Sequence, residues 1–106
     1  MDKVPTWGGD ASFSYEGDVL SGTTIYYGNA LRWKATIKAE DYRKLLRRFS
    51  GKEVSIGTSK TDPPPGSVGE WVKANINKSG LMSYIGAILV REGYAAKPDR
   101  GRIQFR

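Results

Sequence analysis

The sequence contains no cysteine and no histidine. Without cysteine the chain has no disulfide, no zinc finger and no thiol nucleophile, and without histidine it lacks the most frequent acid–base catalyst. The carboxylates are scattered along the chain, and no glycine-rich phosphate-binding motif is present. We therefore expect no catalytic residue, no metal site and no cofactor. A metal-dependent nuclease that uses a carboxylate such as Glu53 is the enzymatic alternative left open.

Long apolar runs are also missing from the chain. No segment approaches the roughly 20 apolar residues that span a bilayer, and Met1-Asp2-Lys3 is not followed by the apolar segment of a signal peptide. We expect a soluble, cytoplasmic protein that makes no membrane contact.

The charge of the chain is positive and unevenly distributed. The 17 basic and 11 acidic residues give a net charge of +6. Residues 1–30 contain one basic and four acidic residues, so the positive charge is concentrated in residues 31–106. Concentrated positive charge favours a polyanionic partner, most often nucleic acid, and the alternative is a charged surface that only keeps the protein in solution.

Three segments near the N-terminus have the alternation of β-strands. Apolar residues alternate with serine over 11–15, and residues 23–27 are β-branched or aromatic. Residues 31–38 alternate an apolar face containing Trp33 and Ile37 with a mainly basic face. We expect an antiparallel β element within residues 1–38, with the apolar face of the third strand in the core.

A short helix with a cationic face is predicted over residues 40–50. Its apolar residues have the spacing of one helical stripe and are Tyr42, Leu45, Leu46 and Phe49. The opposite side carries four cations, which are Arg43, Lys44, Arg47 and Arg48. This face is either a phosphate-contacting surface or an ordinary solvated one.

The remaining sequence predicts a strand, two helices and a hairpin. A strand is expected over 53–57, followed by a loop that contains three prolines. Ser67 and Glu70 have the spacing of a capping box for a helix over 67–76. A turn at residues 77–80 leads into a helix over 79–92, and residues 94–105 form a hairpin with its turn at 98–101.

This order of elements resembles the winged helix-turn-helix superfamily. Local similarities are residues 68–72, the turn at 77–80, and residues 91–94 leading into 101–105. The resemblance covers residues 40–106. It implies an α+β fold in which N-terminal antiparallel strands (1–38) pack with a C-terminal winged helix-turn-helix of three helices plus a β-hairpin wing (39–106). We expect residues 1–106 to form one compact domain.

In the winged helix-turn-helix superfamily the second helix of the turn enters the major groove and the wing contacts the backbone or minor groove. By position, the resemblance places Lys78, Ser79 and Ser83 nearest the DNA. The resemblance also implies that Lys97, Arg100 and Arg102 are the wing residues that contact the DNA. The prediction is a non-enzymatic, accessory or regulatory protein that binds double-stranded DNA mainly through its phosphates.

The outward side of the predicted helix 79–92 departs from this family pattern. Its outward positions are expected to be Ser79, Met82, Ser83, Gly86, Ala87 and Val90. Side chains that read bases are mainly Arg, Lys, Asn or Gln, so sequence-specific recognition by this face is not expected. Gly86 and Ala87 instead indicate close packing against the N-terminal sheet, a second copy in a homodimer, or another protein. The alternative function is therefore a protein-interaction module that uses this face or the aromatic strands.

Overall fold

The computed structural model describes residues 2–106, and this part of the chain has a mixed α+β fold with three helices and two antiparallel sheets. The elements in chain order are β1 (Val4–Pro5), β2 (Ser12–Asp18), β3 (Gly22–Tyr27), β4 (Trp33–Lys38), α1 (Ala39–Phe49), β5 (Glu53–Ser55), α2 (Val68–Asn75), α3 (Met82–Arg91), β6 (Ala95–Asp99) and β7 (Arg102–Phe105). A short 3-10 turn, Asn29–Leu31, precedes β4. The expected α+β class is confirmed.

The first sheet is an antiparallel meander in the order β1-β2-β3-β4. The two strands predicted from alternation, and the one predicted from its β-branched and aromatic residues, are all present. On the inner face Phe13, Ile25 and Ile37 are fully buried. The expectation that Trp33 belongs to the core is wrong, because 61% of its surface is exposed. Trp33 begins the edge strand, at the margin of the sheet.

Helix α1 joins the first sheet to the rest of the core. The predicted stripe is confirmed, because Tyr42, Leu45 and Phe49 are buried. The Tyr42 hydroxyl lies 2.8 Å from the Thr23 hydroxyl of β3. At the other end of the helix the Phe49 ring stacks on Phe105, with 5.4 Å between centroids. Acidic residues in the first turn and basic residues in the last turn suit the helix dipole.

Helix α2 begins at the predicted capping residue. The Ser67 hydroxyl accepts a hydrogen bond from the Glu70 backbone N–H at 3.1 Å. The Glu70 carboxylate reaches back to the backbone N–H of Gly66, at 2.9 Å, one residue before the predicted partner. The Ser67 N–H instead donates to the Pro64 carbonyl, so the proline-containing loop completes the cap.

The second sheet has the order β5-β7-β6, and its buried residues include Ile103 and Phe105. The predicted hairpin is confirmed, with a tighter tip at Arg100–Gly101 because Asp99 still pairs with Arg102. One cluster of buried side chains contains residues from both sheets and all three helices. None of the helices in residues 2–106 has the length and apolar character required to cross a membrane.

Candidate nucleic-acid interface

Helix α3 is buried on more sides than the sequence predicts. The residues expected to face inward are all buried, and these are Leu81, Ile85, Ile88 and Leu89. Two positions expected to face outward, Met82 and Gly86, are buried as well. The predicted open face of α3 is therefore wrong at these two positions.

Trp7 of the N-terminal segment covers the middle of α3. Its backbone N–H donates to the Ser83 carbonyl at 2.9 Å, and its indole Nε1 donates to the Arg100 carbonyl at 2.7 Å. A Cβ added to Gly86 would lie 2.8 Å from Cε3 of the indole. The close packing predicted at Gly86 is thus made by the N-terminal segment of the same chain, which closes Gly86 to a second copy or another protein.

Two of the three predicted wing cations have partners within the chain. The Lys97 ammonium lies 4.8 Å from the Trp7 ring centroid and donates to the Trp7 carbonyl. The Arg102 guanidinium forms an ion pair with Glu53, with 2.8 Å between Nε and Oε2. Arg100 is exposed at the hairpin tip, where its backbone carbonyl is the acceptor for Trp7. Of the three side chains, Arg100 is the most accessible to a phosphate.

Lys78 and Ser79 are exposed in the turn between α2 and α3. The helix begins at Met82, three residues later than predicted, and Leu81 at its N-cap provides no side-chain cap. The Ser79 N–H donates to the Asn77 side chain at 2.7 Å and is occupied. Lys78 therefore contributes a cation near the start of α3, whereas the Ser79 backbone supports the turn.

The outer face of α1 presents four exposed cations, Arg43, Lys44, Arg47 and Arg48. We refer to these four residues as the α1 cationic face. Within residues 2–106 the ion pairs are Arg91–Asp2 and Arg102–Glu53, and neither involves this face. The guanidinium carbon of Arg48 lies over the ring of Phe49, 4.9 Å from its centroid, in a cation–π contact.

The α1 cationic face and the hairpin tip lie at opposite ends of β7. Beyond the C-terminal end of α1 the Gly51 N–H donates to the Arg106 carbonyl at 3.1 Å, and the Phe105 N–H donates to the Lys52 carbonyl at 2.9 Å. The hairpin tip precedes β7 at its other end, about 13 Å away for a strand of this length. The α1 cationic face and the hairpin tip are therefore separated by roughly the length of β7.

The groups whose pKa is shifted are explained by burial and by hydrogen bonds within the fold. Burial and the hydrogen bond to Glu92 raise the pKa of Tyr15 to about 12. Burial raises the pKa of Tyr42 further. Hydrogen bonds from Ser21 lower the pKa of Asp18. Within residues 2–106 no three acidic side chains are grouped as metal ligands would be, and Glu53 is held by Arg102.

The structure reveals an exposed aromatic residue that the sequence placed in the core. Trp33 lies between exposed Arg32 and Lys34 at the start of β4. A Cβ added to Gly28 would lie 2.5 Å from Trp33 Cδ1, so the glycine backbone packs directly on the indole. The glycine at the end of β3 was the available signal, but it predicts a turn without showing which side chain packs on it.

Comparisons of this chain with models of protein families, with curated proteins and with solved structures found no match. A function has to be inferred from the side chains and their arrangement.

Proposed function

We propose that the chain is a non-enzymatic DNA-binding protein, accessory or regulatory, built on a winged helix-turn-helix plan over residues 39–106. The element order α1, β5, α2, α3 and a β6–β7 hairpin supports this plan, as does the sheet order β5-β7-β6. The proposed binding is to the phosphate backbone of duplex DNA and has little sequence preference.

The observation that carries this proposal is the α1 cationic face. Arg43 and Arg47 are one helical turn apart, and so are Lys44 and Arg48. Like charges at this spacing destabilise a helix by about 0.2–0.5 kcal/mol per pair, so a surface that served only solubility would be better built from mixed charges. Cations that displace condensed counterions from DNA offset this cost when the DNA is bound.

Because Trp7 covers α3, we assign the proposed DNA contacts to other parts of the protein. Trp7 occupies the space beside Ser83 and Gly86, so α3 cannot lie in the major groove while this segment stays in place. Backbone contacts by the α1 cationic face do not require it to move. Arg100 and Lys78 are two further exposed cations that we propose for phosphate contacts.

Fluorescence anisotropy of a labelled random-sequence duplex, titrated from low to physiological salt, tests the proposal. We expect micromolar binding whose affinity falls steeply with salt. The double variant R43Q/R47Q should lower the slope of log affinity against log salt by about two, one for each lost phosphate contact. R100Q, at the other end of β7, should lower it by about one or less.

A charge-matched control separates specific contacts from net charge. K3Q/R91Q also removes two positive charges, but from residues that are not among the proposed phosphate contacts, and Arg91 is already paired with Asp2. Its salt slope should equal that of the wild type. No duplex binding at low salt, or equal losses in R43Q/R47Q and K3Q/R91Q, would contradict the proposal.

The alternative function is a protein-interaction module, and the free edge of β4 favours it. The sheet order leaves one side of Trp33–Lys38 without a neighbouring strand in residues 2–106, and a free edge can pair with an added strand. Lys34 and Lys38 on this strand oppose such pairing, since charged edges are a common protection against it. Binding of a protein through β4 would depend only weakly on salt, unlike binding of phosphates.

A further inference from the structure

Trp33 has an environment that its exposure alone does not explain. Single exposed apolar residues are common, and Leu20 is more exposed, at 76%. Trp33 differs because the backbone around it is specialised. The indole packs on Gly28, whose φ of 80° is rarely adopted by other residues, and a side chain there would clash with it. The indole is held on the glycine side while 61% of the residue surface remains open.

The turn that leads to Trp33 is strained. Ala30 and Leu31 have φ angles of 56° and 54°, in the left-handed region that residues with a Cβ avoid. Two such residues in succession are uncommon, and backbone strain of this kind is concentrated at functional sites. This turn sets the position of the indole at the edge of the sheet.

Trp33 shares the inner side of the sheet with other aromatic residues. Tyr27 is its cross-strand partner in the register, and the Tyr27 ring lies 5.0 Å from that of Tyr84. Lys60 is 6.0 Å from the Tyr84 centroid. Trp33 is the exposed member of this group.

The two residues next to Trp33 in the sequence are cations, which favours an anionic ligand at this edge of the sheet. Arg32 and Lys34 are both exposed, and neither forms an ion pair in the part of the chain that the structure describes. Successive residues of a strand point to opposite faces, so Lys34 lies on the outer face of β4 and Trp33 on the inner face, at the free edge of the sheet. A partner that passes over this edge, with a flat ring on one face and an anionic backbone beside the cations, fits them better than an apolar protein contact, which would leave the cations unpaired.

We propose that Trp33 is a stacking platform for an unpaired base of single-stranded nucleic acid, with Arg32 and Lys34 contacting the adjacent phosphates. Every base has a π face, so stacking of this kind tolerates any sequence. The proposal rests on the proposed DNA binding and adds a second class of nucleic acid to it.

Strand β4 joins the duplex and single-strand sites in the chain. It runs without a loop from Trp33 into α1 at Ala39, and a strand of six residues spans about 20 Å. Lys34 and Lys38 share the outer face of β4, because residues four apart in a strand point the same way, and Trp33 lies on the other face. A single strand that leaves a duplex on the α1 cationic face would follow Lys38 and Lys34 and cross the free edge of β4 to stack on Trp33.

Anisotropy titrations of fluorescein-labelled dT15 and of a duplex test the stacking site in wild type, W33A and W33F. W33A should weaken binding of dT15 by about 5- to 140-fold, the range for losing one stacked base. Its duplex affinity should change less than twofold. W33F should retain most of the dT15 affinity, because phenylalanine also stacks. L20A, which removes the other large exposed apolar side chain of residues 2–106, should bind both probes as the wild type does.

Tryptophan fluorescence provides an independent readout. Trp7 is buried and Trp71 is partly buried, so a base that stacks on tryptophan should quench mainly Trp33. Addition of dT15 should quench the wild type, and W33F should lose this quenching while still binding dT15.

The outcomes distinguish the stacking site from the duplex site. Equal dT15 affinities in wild type and W33A overturn the stacking proposal alone if duplex binding persists, and exposed Trp33 then becomes a candidate protein contact. Binding of dT15 that depends on Trp33, without duplex binding, supports the stacking site and overturns the duplex proposal. No binding of either probe overturns both.

Discussion

The indole of Trp7 packs so closely on Gly86 of α3 that a Cβ at residue 86 would lie 2.8 Å from the ring. Ile56 bounds the same space, 3.1 Å from that Cβ position. The glycine is therefore a requirement of packing between the N-terminal segment and α3. It is the reason why the outward face of this helix is closed at Gly86.

Replacing Gly86 with alanine should destabilise the protein. Alanine favours a helix over glycine by about 1 kcal/mol, but the overpacking against a buried indole costs about 1–3 kcal/mol, so we expect a net loss of stability. Urea denaturation of wild type and G86A measures it. In a Trp7→Leu background the cost of G86A should shrink, and an equal cost in both backgrounds would show that Trp7 is not the cause.

Replacing Glu92 should loosen the contact between α3 and the first sheet. Its carboxylate accepts hydrogen bonds from the Tyr15 hydroxyl at 2.6 Å and from the Val19 N–H at 2.9 Å. Bonds to a charged group contribute about 1.5–3 kcal/mol, so E92A should lower the free energy of unfolding by about that amount. E40Q, in the exposed first turn of α1, is a control that should change stability by less than 0.5 kcal/mol. Similar losses in both variants would contradict this assignment.

Alkaline pH should destabilise the fold through Tyr15. Its pKa is raised from 10 in the unfolded chain to about 12 in the fold, because the hydroxyl is partly buried and donates to Glu92. The stabilisation is therefore complete below pH 10 and is lost as the pH rises from 10 to about 12. The free energy of unfolding, measured by urea denaturation between pH 10 and about 12, should depend less on pH in Y15F than in wild type. An unchanged pH dependence would mean that other groups, such as Tyr42, dominate.

Removing the N-cap of α2 should lower the free energy of unfolding by a moderate amount. The Ser67 hydroxyl accepts from the Glu70 N–H, and the loss of such a cap costs about 1 kcal/mol. S67A should therefore lower the urea midpoint, and S50A, at an exposed position after α1, should not. Asparagine or aspartate at position 67 would keep the acceptor and should recover part of the loss.

The local elements of this fold could be predicted from the sequence. The stripe of α1, the Ser67 cap and the hairpin depend on neighbours within a few residues, and such spacing is visible in the chain. The cationic face of α1 was predicted for the same reason. The separation of this face from the hairpin tip could not be predicted, because it depends on how β7 ends beside Lys52.

The contacts that the sequence could not predict join distant residues. Trp7 and Arg100 are 93 residues apart, and Arg102 and Glu53 are 49 apart. Alternation also placed Trp33 in the core, because it identifies the face of a strand and gives no information on where the packed region of a sheet ends. Hydrophobic periodicity is a local property, and these features depend on tertiary packing.

The contacts of Trp7 with α3 and the hairpin tip can form only late in the synthesis of the chain. The strands of the first sheet leave the ribosome early and can pair with one another. The Trp7 backbone can pair with Ser83 as soon as α3 exists, but the Trp7 indole has no hydrogen-bond acceptor until Arg100 has been made. The cover of α3 is therefore completed only after the hairpin tip, so the apolar surface around Gly86 is held less firmly, and is more open to aggregation and to chaperones, until late in translation.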